Sequence, residues 1–143
     1  MEGLRRAKAD LEDGAARKAR ERLKGLVVTY PHDREIRGLL AEAYRRDRQW
    51  PEAGRWGYLI GPAATELERR AFEKHSAFGC SPRITEARLR RLLQTDDLAT
   101  VADESGRALL CDLPRKRNPR RPDRPLAAVG RYVATWRARQ VWR

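Results

Sequence analysis

The chain is poor in the residues that mark most enzymes, secreted domains and membrane proteins. It has two cysteines in 143 residues, Cys80 and Cys111, with no CxxC and no paired histidines beside them. Such spacing builds neither a disulfide framework nor a metal site, so two free thiols in a reducing compartment and no bound metal are expected. No apolar run approaches the roughly 20 residues that span a bilayer. The opening stretch MEGLRRAKADLEDG lacks the apolar core of a secretory signal. A cytoplasmic location without a transmembrane segment follows as the expectation. Histidine is equally scarce, with only His32 and His75. His75 stands five residues before Cys80, but no motif places an Asn or Asp to orient it for nucleophilic chemistry. The glycines are scattered, with no GxGxxG or GxxxxGK phosphate loop. Carboxylates such as Glu12, Asp13, Glu66 and Glu68 have basic neighbours at helical spacing and read as solvated ion pairs. No catalytic residue and no cofactor are expected, and the chain reads as a non-enzyme. Two Phe and one Met leave the core to Leu, Ala and Val. At about 25 cal/mol per Å² of buried apolar surface, that core is modest.

What is abundant is Ala, Leu, Arg and Glu, all good helix formers, in a chain that is 41% hydrophobic and 36% charged. An all-α protein is expected. The net charge of +12 resembles a nucleic-acid signature, but its distribution is uneven. Residues 1–113 carry 22 basic against 19 acidic side chains, and residues 114–143 carry ten against one. The excess therefore sits in the tail.

Internal repetition decides the expected fold. Leu4, Ala7, Leu11, Gly14, Ala19, Leu23, Leu26 and Pro31 have counterparts in Arg37, Leu40, Tyr44, Arg48, Ala53, Gly57, Ile60 and Thr65. Ala19 and Ala53 lie 34 residues apart. In each unit a first helix presents large residues such as Leu40 and Tyr44. A second helix offers a small residue, Ala19 or Ala53, where the backbones approach. Pro31, followed by His32 and Asp33, ends one hairpin, with Asp33 placed to cap the next helix. Pro51 falls in the first turn of a helix, where its missing N–H costs nothing. The period and the order of small and large positions resemble the tetratricopeptide repeat. That resemblance implies tandem antiparallel helical hairpins over residues 1–62.

The segment AGRWGYL, Ala53 to Leu59, narrows the resemblance when read with AEAY at 41–44 and AFE at 71–73. Together they resemble a family of short uncharacterised actinobacterial proteins, a domain of unknown function with tetratricopeptide-like helices. The likeness covers roughly residues 4–95 and implies a fold without an activity. Gly54 and Gly57 share a helix face. They serve either close approach of a neighbouring helix at 65–78 or the floor of a binding groove. Trp56 and Tyr58 divide in the same way between core aromatics and a partner anchor.

Beyond the repeats, Thr65 and Glu68 form a capping box for a helix over 65–78 with Leu67, Ala71, Phe72 and Phe78 on its apolar face. It reads as a capping helix for the stack. Ser81-Pro82 opens a further helix to about Leu93. A short helix is expected from Asp97 to Glu104, stopped by Ser105-Gly106, and 108–113 has no clear state. These elements form one domain, 1–113. Residues 114–125, PRKRNPRRPDRP, form a basic proline-rich linker, and 126–143 an amphipathic helix. That helix either docks its Val129, Val133 and Trp136 stripe on the repeats or stays free.

The expected function is a small interaction module binding a protein or peptide on the concave face of the repeats. The candidate residues are Arg5, Glu12, Glu35, Glu42, Arg45 and Arg46, with Trp56 as a possible anchor. Tetratricopeptide clamps for a C-terminal carboxylate use Lys, Asn and Arg. This chain has Ala9 and Glu42 where that family places Asn, which argues against a chaperone-tail clamp and leaves binding of an acidic peptide open. The alternative is nucleic-acid binding through Arg115, Lys116, Arg117, Arg120, Arg121 and Arg124. Two and a half repeats make a small groove, and dimerisation is one way to complete it.

Overall fold

A computed structural model of the chain describes residues 2–77 and 85–113. Among these residues the structure is all-α, with eight helices and no strand. They are α1 (Glu2–Glu12), α2 (Ala16–Thr29), α3 (Arg34–Arg46), α4 (Trp50–Gly57), α5 (Glu66–Ala77), α6 (Glu86–Leu93), α7 (Leu98–Val101) and α8 (Glu104–Asp112). A 3-10 turn, Gly61–Ala63, links α4 to α5. No helix among them is long and apolar enough to cross a membrane. The linker at 114–125, the helix at 126–143 and all six basic candidates between Arg115 and Arg124 lie outside the described residues, as do Phe78, Cys80, Ser81 and Pro82.

Successive helices α1 to α4 pack on their chain neighbours as two hairpins. Of the repeat positions, Leu4, Ala7, Leu11, Ala19, Leu23, Arg37, Leu40, Tyr44, Ala53, Gly57 and Ile60 are buried, whereas Gly14, Arg48 and Thr65 are exposed. Leu4, Ala7 and Leu11 of α1 meet Ala19, Leu23 and Val27 of α2. Leu40, Ala43 and Tyr44 of α3 join Ala53 and Trp56 of α4 in the same apolar cluster. Asp33 caps α3 as the sequence implied, its Oδ1 accepting from the amides of Glu35 at 2.9 Å and Ile36 at 3.1 Å. Each hairpin turn needs one left-handed residue, supplied by Gly14 at φ +73° and by its counterpart Arg48 at φ 59°.

The two glycines of α4 have a packing reason. A Cβ on Gly54 would stand 2.0 Å from the carbonyl oxygen of Glu68, and one on Gly57 2.7 Å from that of Ala63. Backbone therefore meets backbone where α5 and its entry turn lie against α4.

From α5 onward several expectations need correction. The inward face of α5 carries Glu68, Phe72 and Ser76, whereas Leu67 is 79% exposed. The helix is rotated by one position because Glu68 finds its cation on α3 and its backbone is pressed onto Gly54. The next helix described starts at Glu86, with Thr85 as its cap accepting from the amide of Arg88 at 3.4 Å; the opening expected at Ser81-Pro82 lies outside the described residues. Ser105-Gly106 does not stop a helix; both residues lie in the first turn of α8, which begins at Glu104. Asp103 caps α8 by accepting from the Gly106 amide at 2.8 Å. Gly106 is required there, since its Cβ would fall 2.0 Å from the Leu59 carbonyl oxygen. The stretch 108–112 is the remainder of that helix, and Leu113 is its C-cap. These short elements close a second apolar cluster of Tyr58, Leu59, Phe72, Leu89, Leu93, Leu98, Val101 and Ala102.

Candidate interaction face

Helices α1, α3 and α5 are tied side by side through their charges. Lys8 Nζ lies 2.6 Å from Glu35 Oε1, joining α1 to α3. Arg46 reinforces that join by donating to the Leu11 carbonyl, and its Nε reaches Glu42 at 2.9 Å. Arg45 spans from α3 to α5 with a bidentate fork, Nε to Glu68 Oε1 at 2.6 Å and Nη2 to Glu68 Oε2 at 2.9 Å. The same guanidinium donates to the Ala63 carbonyl at 2.7 Å and pairs with Glu42.

The electrostatics follow from these contacts. Hydrogen bonds from Arg46 and Arg45 hold the Glu42 carboxyl below its ordinary range. Burial pushes the Glu68 carboxyl up, but bonds from Arg45 and Thr65 outweigh it and leave it depressed. Glu68 thus has two roles: it completes the capping box with Thr65, accepting its amide at 2.7 Å, and it neutralises Arg45. The bond to Glu68 raises the Arg45 pKa in return. At the outer end, Arg5 and Arg6 both donate to Glu2, whose carboxyl is pulled down to about 2.

The candidate residues therefore divide. Arg5 and Glu12 project outward and exposed, and Glu35 is exposed but held in the tie to Lys8. Glu42 and Arg45 are half-buried and committed to ties between helices, while Arg46 is exposed at the edge of the same network. Trp56 is not a surface anchor. It is 7% exposed, with the Arg37 guanidinium 5.4 Å and the Arg55 guanidinium 5.0 Å from its ring centre.

Sequence reasoning passed over those two arginines. Arg37 is 2% exposed, donates to the Pro31 carbonyl at 2.7 Å and reaches the Leu93 carbonyl at 3.1 Å. Burial, with Arg55 nearby, lowers its pKa to about 10, so it stays a cation at neutral pH. Arg55 donates to the adjacent Leu92 carbonyl at 2.7 Å. Both thus bind the carbonyl end of α6, where the helix dipole favours positive charge. The available signal was Arg37 standing on the apolar stripe of α3, at the place Leu4 holds in the first unit. His32 makes a third link across this seam, its Nδ1 3.0 Å from Thr100 Oγ1.

The chain belongs to a family of unknown function, DUF6584, whose model matches residues 1–113. No curated protein and no solved structure matches it.

Proposed function

We propose that the chain is a small non-catalytic scaffold of tetratricopeptide-like hairpins that binds a protein or peptide across α1, α3 and α5. The observation that carries this reading is the lateral tie of those helices by Lys8–Glu35 and Arg45–Glu68. The ties make a preordered surface from which Arg5 and Glu12 project. A preordered surface lowers the entropy cost of holding an extended or helical partner. Because Arg45 is bound to a buried carboxylate, substituting it tests folding as much as binding. The discriminating variant is Arg5→Glu with Glu12→Lys, which leaves Glu35 in its tie to Lys8. Affinity capture from native lysate with mass spectrometry, run beside the wild type and a 1–113 truncation, is the experiment. A partner lost on the double variant and kept by the truncation supports the reading; recovery unchanged by the double variant removes this face.

The second reading is nucleic-acid binding by the tail, favoured by its ten basic side chains against one acidic. It predicts loss of RNA and DNA binding on truncation at residue 113, with steep salt dependence in the intact chain. A nucleic-acid mobility unaffected by the full-length protein near physiological salt rejects it.

A further inference from the structure

The glycines inside helices are not all alike. Gly54, Gly57 and Gly106 are each held against another backbone, with no space for a Cβ. Gly25, in the second half of α2, has nothing within 4 Å of where its Cβ would stand. Glycine weakens a helix interior relative to alanine, and here no internal contact requires it. Its carbonyl already accepts from the Thr29 hydroxyl at 3.4 Å, so what it offers outward is bare Cα surface. Three residues on, and so on the same helix face, Val28 is 80% exposed.

The flank of this spot is basic. Ala16, Ala19, Leu23 and Val27 turn α2 inward, which leaves Arg17, Lys18, Glu21, Arg22, Lys24, Gly25 and Val28 outward. Arg22 is paired with Asp10 and Lys24 with Glu21. Among the described residues, Arg17 and Lys18 have no carboxylate at ion-pairing distance, and both are exposed.

We propose that the outer face of α2 is a second docking surface, taking an acidic helical segment of another protein. That segment's backbone approaches at Gly25, an apolar side chain packs on Val28, and carboxylates face Arg17 and Lys18. A bare Cα allows helix axes to come to the short end of the usual packing distance. A second copy of this chain is disfavoured, since like faces would set Arg17 and Lys18 against other cations. A membrane-surface helix carries a broad apolar face, and this one has Val28 alone. A phosphate backbone has no use for Val28 beside the glycine.

The probe is a fluorescent helical peptide of Glu, Ala and Leu, with leucines four residues apart, titrated against the full-length protein by anisotropy at physiological salt. A matched peptide with Gln for Leu, a duplex RNA and phosphatidylserine vesicles run in parallel. Gly25→Leu and Val28→Glu are expected to weaken the leucine peptide at least tenfold without lowering helicity or Tm. Arg17→Glu with Lys18→Glu weakens it and flattens its salt dependence. The result that overturns the proposal is any of these: no binding of the leucine peptide, equal affinity for Gly25→Leu, the glutamine peptide binding as tightly, or RNA or vesicles binding where the peptide does not.

Discussion

Residues 2–57 and residues 58–113 each enclose an apolar cluster, yet they reach it by different means. In the first, helices of 8 to 14 residues alternate small and large side chains, with Ala7, Ala19, Ala43 and Ala53 set among Leu4, Leu23, Leu40 and Tyr44. In the second, α7 has four residues and α8 nine, and α6 to α8 start on side-chain caps from Thr85, Asp97 and Asp103. Helices that short do not form alone. They are held by polar anchors: Arg37 and Arg55 of the first half on the end of α6, and, within the second half, the Leu59 carbonyl accepting from the Asp103 amide at 3.0 Å. A regular hairpin pair thus serves as template for an irregular half.

The seam between the halves is the place to break this arrangement. Gly54→Leu, forcing side-chain atoms into the Glu68 backbone, is expected to cost more than about 3 kcal/mol. Gly38→Ala is the contrast: its Cβ would lie 3.7 Å from that of Ala63, an ordinary contact, so urea unfolding should find it neutral or slightly stabilising. Next in size is Arg37→Met, which fills the site but leaves the Pro31 and Leu93 carbonyls without their donor, at about 2 kcal/mol. Hydrogen exchange should show α6 to α8 opening faster while α1 and α2 hold. Equal loosening of all helices would mean that the halves form one cooperative unit.

Acid probes the same boundary through Glu68, whose folded pKa lies below the ordinary 4.5. Its contribution is complete above pH 4.5 and is lost as pH falls through the depressed folded value. Thermal melts from pH 6 to about 3 should show Tm falling in the lower part of that range. Glu68→Gln starts less stable and has a shallower dependence there. The smallest effect concerns the paired hairpin turns. Gly14→Ala should cost about 1 kcal/mol for its left-handed φ, while Arg48→Gly should gain about 0.5 kcal/mol by relieving the same strain. If both turns respond alike, the two hairpins are equivalent in their turns as well as their cores.

Legibility in the sequence followed this division. Leu40, Tyr44, Ala19 and Ala53 were readable because each buries itself against a neighbour in the same local hairpin. The Asp33 cap and the Thr65–Glu68 box were readable because they involve residues two or three apart. Leu67 was misassigned because the rotation of α5 is set by Arg45 on another helix and by the Gly54 contact. Trp56 held two readings, and the arginines on either side of it decided between them. Among the candidate residues, Arg5 and Glu12 look the same in sequence as Arg45. Only the position of Glu68 separates an outward charge from an internal tie.

By itself, then, the sequence determined an all-α chain, two hairpins at a 34-residue spacing, and a basic tail separate from a nearly balanced body. Those properties depend on local propensity, short-range packing and composition. Tertiary structure alone decided the phase of α5, the placing of Ser105-Gly106 in the first turn of α8, the burial of Arg37 and Glu68, and the use of two α4 glycines as a seam. Each depends on a contact between residues distant in the chain, where one backbone carbonyl or one charge selects among states that local sequence leaves nearly equal.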